Sequence, residues 1–266
     1  MTTHARLIAG VFTATVLFAQ AATPEGPVVG VGPFLHIISD LDQSLAFYHD
    51  TLGLELTGPP GAEHKFTDNP AVANLYGVPG KQFRAAVLKI PGSEMRVELA
   101  EWRDAAPLSG DGYASLTIYR ADGSPYRPDA FRGYKLLHDP DGFPVTLGRT
   151  EELFVGLTVT ADDIPKTITL YTKVLGFKAD GKRLLLPGTS LQIQLGDTRA
   201  SDTYTQPSRA MLRLQVRDID GLTASMKGAG CTVITTGGLP VTLPQGQRVI
   251  ILRDPNNFYW QLMETR

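Results

Sequence analysis

The sequence predicts an α+β fold assembled from repeated units. Three observations predict it. A strand-then-helix segment is written twice, at residues 40–54 and 163–177. An apolar hairpin with a tight turn closes each half, at residues 134–147 and 249–262. The chain of 266 residues is 42% hydrophobic, enough to bury one large core or two linked ones. Repetition at fixed offsets sets the architecture before any single side chain is interpreted.

The chain opens with Arg6 ahead of an apolar run at residues 7–18 and then Ala19-Gln20-Ala21, a small-x-small cleavage site. A run of about a dozen apolar residues falls short of the roughly 20 that span a bilayer. Residues 1–21 therefore read as a signal peptide. The expected location is periplasmic or secreted, with no membrane attachment after cleavage and a mature chain starting near Ala22.

In the first repeat Asp40 ends an apolar run and is placed to accept from the first amides of a helix, as Asp163 is in the second. Leu45, Tyr48 and Leu52, and then Ile168, Tyr171 and Leu175, recur at three-to-four spacing as one buried stripe. Gly53 and Gly176 supply the left-handed backbone that stops each helix. The segment 58–82 follows the first helix as a long insertion. Its Phe66, Leu75 and Tyr76, with the adjoining Phe83, give it apolar surface to fold over a cavity mouth as a lid. Within it, residues 70–76 predict a short helix stopped by Gly77.

Each half ends in a hairpin whose turn is Asp139-Pro140-Asp141-Gly142 in the first case and Asp254-Pro255-Asn256-Asn257 in the second. Cys231 is alone, so no intramolecular disulfide is available, and its place between a helix and a strand reads as structural. The net charge of −2 gives no electrostatic basis for a nucleic-acid partner.

Apolar strand, Asp-capped helix with Tyr, Leu-Gly stop and terminal Asp-Pro-Asp-Gly hairpin together resemble the vicinal oxygen chelate superfamily of glyoxalase I, bleomycin-resistance proteins and extradiol dioxygenases. The resemblance spans roughly residues 30–266. It implies paired βαβββ modules forming two curved half-barrel sheets with helices outside. Four modules begin near Phe34, Ala114, Leu153 and Ala210. The expected domains are a first pair at 30–150, whose second module is abbreviated at 122–134, and a second pair at 151–266, joined near residues 150–152. The fourth module keeps a helix from Ile219 to Gly228. Modules of this family also exchange between chains, which leaves both a homodimer and the order of module pairing open.

Members such as glyoxalase I place a metal-binding His seven residues before the capping Asp and a Glu on the last strand of a module. Here those first-strand positions hold Pro33, Ser115, Gly156 and Met211, and the last-strand positions Glu98, Thr146, Gln194 and Gln261. One carboxylate among them does not make a divalent site, so no metal or other cofactor is expected. His36 lies four residues before Asp40, an odd difference from the ligand position, so strand alternation turns it to the opposite face unless a one-residue bulge restores it.

Two functions follow from this. The first is a metal-independent binder of a small amphipathic or aromatic molecule, with Phe66, Tyr76 and Phe83 as ligand-binding walls. The second is a lyase or isomerase on a carbonyl compound, with Glu98 as base and Arg96 or His36 as its electrostatic partner. Arg96 and Glu98 share a strand face and read equally as a mutual ion pair. A metal-dependent glyoxalase or dioxygenase ranks third. The charged pair and the insertion together place the expected site in the first half.

Overall fold

The computed structural model describes residues 26–108, 112–120, 135–149, 154–197 and 209–265. The signal segment, the abbreviated stretch 122–134 and the joint at 150–152 lie outside the described residues. The first module runs β1 (Val28–Ile38), α1 (Leu41–Leu45), β2 (Glu55–Thr57), α2 (Pro70–Leu75), β3 (Phe83–Lys89) and β4 (Arg96–Trp102). The second contributes β5 (Ala114–Arg120), β6 (Lys135–His138) and β7 (Pro144–Arg149). The third is β8 (Phe154–Ala161), α3 (Ile164–Lys173), β9 (Lys178–Asp180), β10 (Arg183–Leu185) and β11 (Leu191–Asp197). The fourth is β12 (Ala210–Val216), α4 (Ile219–Gly228), β13 (Thr232–Val233), β14 (Val241–Thr242), β15 (Arg248–Arg253) and β16 (Tyr259–Glu264).

Helix starts and stops follow the local chemistry. Asp40 accepts from the amides of Asp42 and Gln43, Asp163 from Lys166, and Asp218 from Gly221. Helix α1 continues as a wider π turn over Ala46–Thr51, and Gly53 then ends it at φ 73° as Gly176 ends the third module's helix at φ 82°. Tyr48, Leu52, Tyr171 and Leu175 are fully buried, as the stripe requires.

The strands form two mixed sheets in an α+β architecture. One has the order β13-β15-β16-β12-β1-β4-β3-β2 with β14 beside β15, and the other runs β6-β7-β5-β8-β11-β10-β9. This order answers which modules pair, a point the sequence leaves open. The first module joins the fourth through the antiparallel pair β1 and β12, and the second joins the third through β5 and β8. Partner choice depends on which strand faces fit across the fold, and local periodicity carries no information on that.

Sequence neighbours are tied instead by side chains, and the two repeated motifs turn out to be each other's partners. Tyr48 of the first module donates to Asp139 in the hairpin turn of the second, at 3.0 Å. Tyr171 of the third donates to Asp254 in the turn of the fourth, at 2.6 Å. In both turns the other carboxylate oxygen accepts two backbone amides, of Asp141 and Phe143 or of Asn256 and Phe258. The third member differs. Trp260 Nε1 donates to Asp254 at 3.1 Å, whereas His36 Nε2 lies 3.0 Å from Asp139, at an angle poor for a hydrogen bond.

One core, containing Phe34, Val97, Leu116, Val145, Leu157, Leu212, Trp260 and the helix stripes, joins both sheets. A second, with Leu35, Ile37, Tyr76, Trp102, Met211 and Ile251, lies on the opposite face of the nine-stranded sheet. Cys231 belongs to the first core. Burial, then the Asp254 charge, pushes its thiol up to about 12, so it stays protonated and inert as expected of a structural cysteine.

Candidate functional site

Strand alternation puts Glu98, Ala100 and Trp102 of β4 on the face of the second core. Across the sheet Arg213 of β12 sits beside Gln261 of β16, and Ala85 of β3 faces the same way. The lid predicted at 58–82 covers this face. Asn69 caps α2 by accepting from the Val72 amide, Pro70 opens it, and Gly77 follows at φ 71°. Thr235 of the fourth module donates to the Leu75 carbonyl at 3.1 Å and accepts from the Ile251 amide, which clips the lid to the sheet beneath it.

Sheet and lid enclose a cavity of about 140 Å³. Its walls include Val72, Leu75, Tyr76, Phe83, Trp102 and Met263. Tyr76 and Phe83 pack on either side of Trp102, with ring centroids 5.0 and 5.1 Å away. Its polar floor is a connected group. Arg213 Nη2 lies 3.0 Å from Glu98 Oε2, Arg213 Nε donates to Gln261 Oε1, and Gln261 bonds the Tyr76 hydroxyl. Burial first, and then the Glu98 charge, pushes the Tyr76 phenol well above its ordinary value, so it remains a neutral hydroxyl. Glu98 and Arg213 keep 19% and 20% side-chain exposure, so the pair still meets the cavity. The buried indole N–H of Trp102 has no acceptor among the described residues.

The structure brings some of the residues singled out from the sequence together and not others. Glu98, Tyr76 and Phe83 line the cavity. Phe66 does not. It lies under the guanidinium groups of Arg84 and Arg103, at 5.2 and 4.1 Å, and anchors the start of the insertion. Arg96 stands exposed at the start of β4, and the cation beside Glu98 is Arg213. His36 points away from the cavity toward Asp139 and stacks on Phe143 at 4.5 Å. A bulge in β1 does exist, between Val31 and Phe34, but it brings Gly32 rather than His36 alongside Arg213. A β-carbon at Gly32 would fall 2.7 Å from Arg213 Cδ, so only glycine leaves the arginine room to cross the strand.

The site is not confined to the first half, because Arg213, Gln247, Val249, Gln261 and Met263 come from the fourth module. Arg213 was missed by counting seven residues back from Asp218, which selects Met211. The available signal was a lone charge inside an otherwise apolar strand, Ala210-Met211-Leu212-Arg213-Leu214. In the other sheet the corresponding positions Ser115, Thr146, Gly156 and Gln194 are uncharged. A larger groove of about 410 Å³ lies against α3, lined by Asp162, Asp163, Lys166, Lys173 and Asn256 among others.

The donor set does not suit a divalent ion. One carboxylate and the amides of Gln247 and Gln261 line the cavity, and a guanidinium 3.0 Å from that carboxylate opposes a second cation there. Among the described residues no three His, Cys, Asp or Glu side chains converge as ligands would.

Comparison with known proteins agrees with the architecture. A sequence profile of the Glyoxalase/Bleomycin resistance protein/Dioxygenase superfamily matches residues 154–262. No curated protein matches the chain. Among solved structures, a variant of glyoxalase I from Zea mays aligns with TM-score 0.60 and 16% identity over 88% of this chain and 93% of that one. A second variant of that enzyme gives 0.58 at 16%, covering 88% and 92%. A proposed dioxygenase from Bacillus subtilis gives 0.57 at 15%, covering 90% and 86%. Identities this low speak for the fold alone. The profile falls on the third and fourth modules, so residues 154–262 match the Glyoxalase/Bleomycin resistance protein/Dioxygenase superfamily, and the whole chain shares the fold of these solved structures.

Proposed function

We propose that the protein binds a small amphipathic or aromatic molecule without a metal, in the cavity shared by the first and fourth modules. The observation that carries this reading is the Glu98–Arg213 pair at the family's ligand strand, where a cation of the protein's own already neutralises the one carboxylate. The aromatic wall of Tyr76, Phe83 and Trp102 supplies the apolar contact such a ligand needs. Purified protein is expected to carry no stoichiometric zinc, nickel, iron or manganese by elemental analysis. Near one equivalent, lost on Glu98→Gln, would overturn the reading. The alternative, a lyase or isomerase with Glu98 as base, is favoured by the fact that Glu98 does face the cavity. Glu98→Gln separates the two, because abolished turnover with retained binding would make the protein an enzyme.

Export is part of the proposal, supported by Arg6, the short apolar run and Ala19-Gln20-Ala21. Mass spectrometry of periplasmic or secreted protein should find the chain starting near Ala22. An intact Met1 in the membrane fraction would show the segment to be an anchor. Among the described residues no helix is long and apolar enough to cross a membrane.

A further inference from the structure

The floor of the cavity presents a donor and an acceptor side by side, each only half used. Arg213 spends Nε on Gln261 and Nη2 on Glu98, while Nη1 meets no acceptor among the described residues. Glu98 spends Oε2 on Arg213, and Oε1 meets no donor there. The two charges sum to zero, so the floor has no net attraction for an anion or a cation and instead offers a fixed dipole. An anionic ligand would face Glu98 as much as Arg213, and a cation the reverse. What satisfies both is a neutral group carrying one acceptor and one N–H donor next to it. The carbonyl takes a hydrogen bond from Arg213 and the N–H gives one to Glu98.

Size narrows the class further. A cavity near 150 Å³ accommodates about one benzene ring, and this one is about 140 Å³. Its walls are the aromatic side chains of Tyr76, Phe83 and Trp102 together with Leu75, Val249 and Met263. Resting on the binding role proposed above, we propose that the cavity recognises the C(=O)–N–H edge of a neutral single-ring lactam or comparable cyclic amide. The ring packs on the aromatic wall and the edge lies on the Glu98–Arg213 pair. Gly32 is the positioning residue for this edge, because it alone lets the Arg213 side chain lie across β1 toward Glu98.

Titration calorimetry of the intact mature protein with four single-ring probes tests this: 2-pyridone, N-methyl-2-pyridone, toluene and benzoate. The expected result is that 2-pyridone binds about tenfold or more tighter than its N-methyl form, because methylation leaves Glu98 without a donor. Glu98→Leu, checked by thermal melting to be folded, should erase that preference, while Arg213→Met and Gly32→Ala should weaken binding of both probes by removing or displacing the donor to their carbonyl. If toluene or N-methyl-2-pyridone binds as tightly as 2-pyridone, edge recognition is wrong while the cavity remains a binding site. If benzoate binds tightest, Arg213 is a carboxylate anchor and the proposal falls. If none of the four binds, this proposal and the binding role fall together.

Discussion

Asp254→Ala should cost about 4 kcal/mol of folding stability, enough to lower the melting temperature on the order of 10 °C. Asp254 is 2% exposed and accepts from Tyr171, Trp260 and the amides of Asn256 and Phe258. Removing it strands four donors in the core, and an unmet buried donor costs about 1–3 kcal/mol, with only part of that recovered by relaxation. Asp254→Asn should lose roughly half as much, because the amide still accepts on one side but turns its NH2 toward other donors. Urea denaturation measures both. A loss under about 1 kcal/mol for the alanine variant would show that this turn does not hold the third and fourth modules together.

His36→Ala should destabilise the protein by about 3 kcal/mol and leave ligand binding intact. The ring is buried between Asp139 and Phe143 on the face away from the cavity, so its loss leaves a void beside Phe143 and removes a close neighbour of the Asp139 carboxylate. If binding is lost while the melting temperature holds, His36 has been misplaced.

The two repeated aspartates should also respond to acid in opposite directions. Burial works to raise Asp139, but His36, the Phe143 amide and the Tyr48 hydroxyl outweigh it and hold the carboxyl below its ordinary value. Burial wins at Asp254, whose partners are all neutral, and its carboxyl is raised. A lowered folded value contributes stability above the unfolded value, near pH 3.9, and loses it as pH falls through the folded one. A raised value does the reverse, contributing below the unfolded value and losing it as pH rises through the folded one. The stability cost of Asp139→Asn should therefore shrink toward acid pH, and that of Asp254→Asn should shrink toward neutral pH. Paired denaturation curves at several pH values would expose a common slope, which would contradict both assignments.

Much of this fold was legible because its signals are local. Caps at Asp40 and Asp163, buried stripes through Tyr48 and Tyr171, glycine stops and hairpin turns each follow from a few adjacent residues. The lid helix was readable for the same reason, since Asn69, Pro70 and Gly77 punctuate it. What stayed hidden was everything set by distant partners. Tyr48 and Asp139 each had a sufficient local explanation, as stripe and turn, so nothing suggested that they meet across 91 residues. Glu98 was found, but its cation was sought two residues away on the same strand, whereas it lies 115 residues on. The bulge in β1 falls at Gly32 and Pro33, a pair that marks a break in the alternation without saying which side chain it turns toward the cavity.

The closure of β1 against β12 has a consequence for how the protein is made. The first strand off the ribosome pairs with β4 of its own module, but it cannot gain its other neighbour, β12, until about two-thirds of the chain has followed, because Phe34 also pairs with Leu212. The second and third modules, adjacent in sequence, meet through a much shorter loop and are free to assemble first. The ends then close around them, a route whose long-range pairing makes it slow. A nascent chain of this design remains unfinished throughout synthesis, with unpaired strand edges that need protection until release. Under the export proposed above, the same delay would suit a polypeptide that must stay unfolded while it is threaded across a membrane.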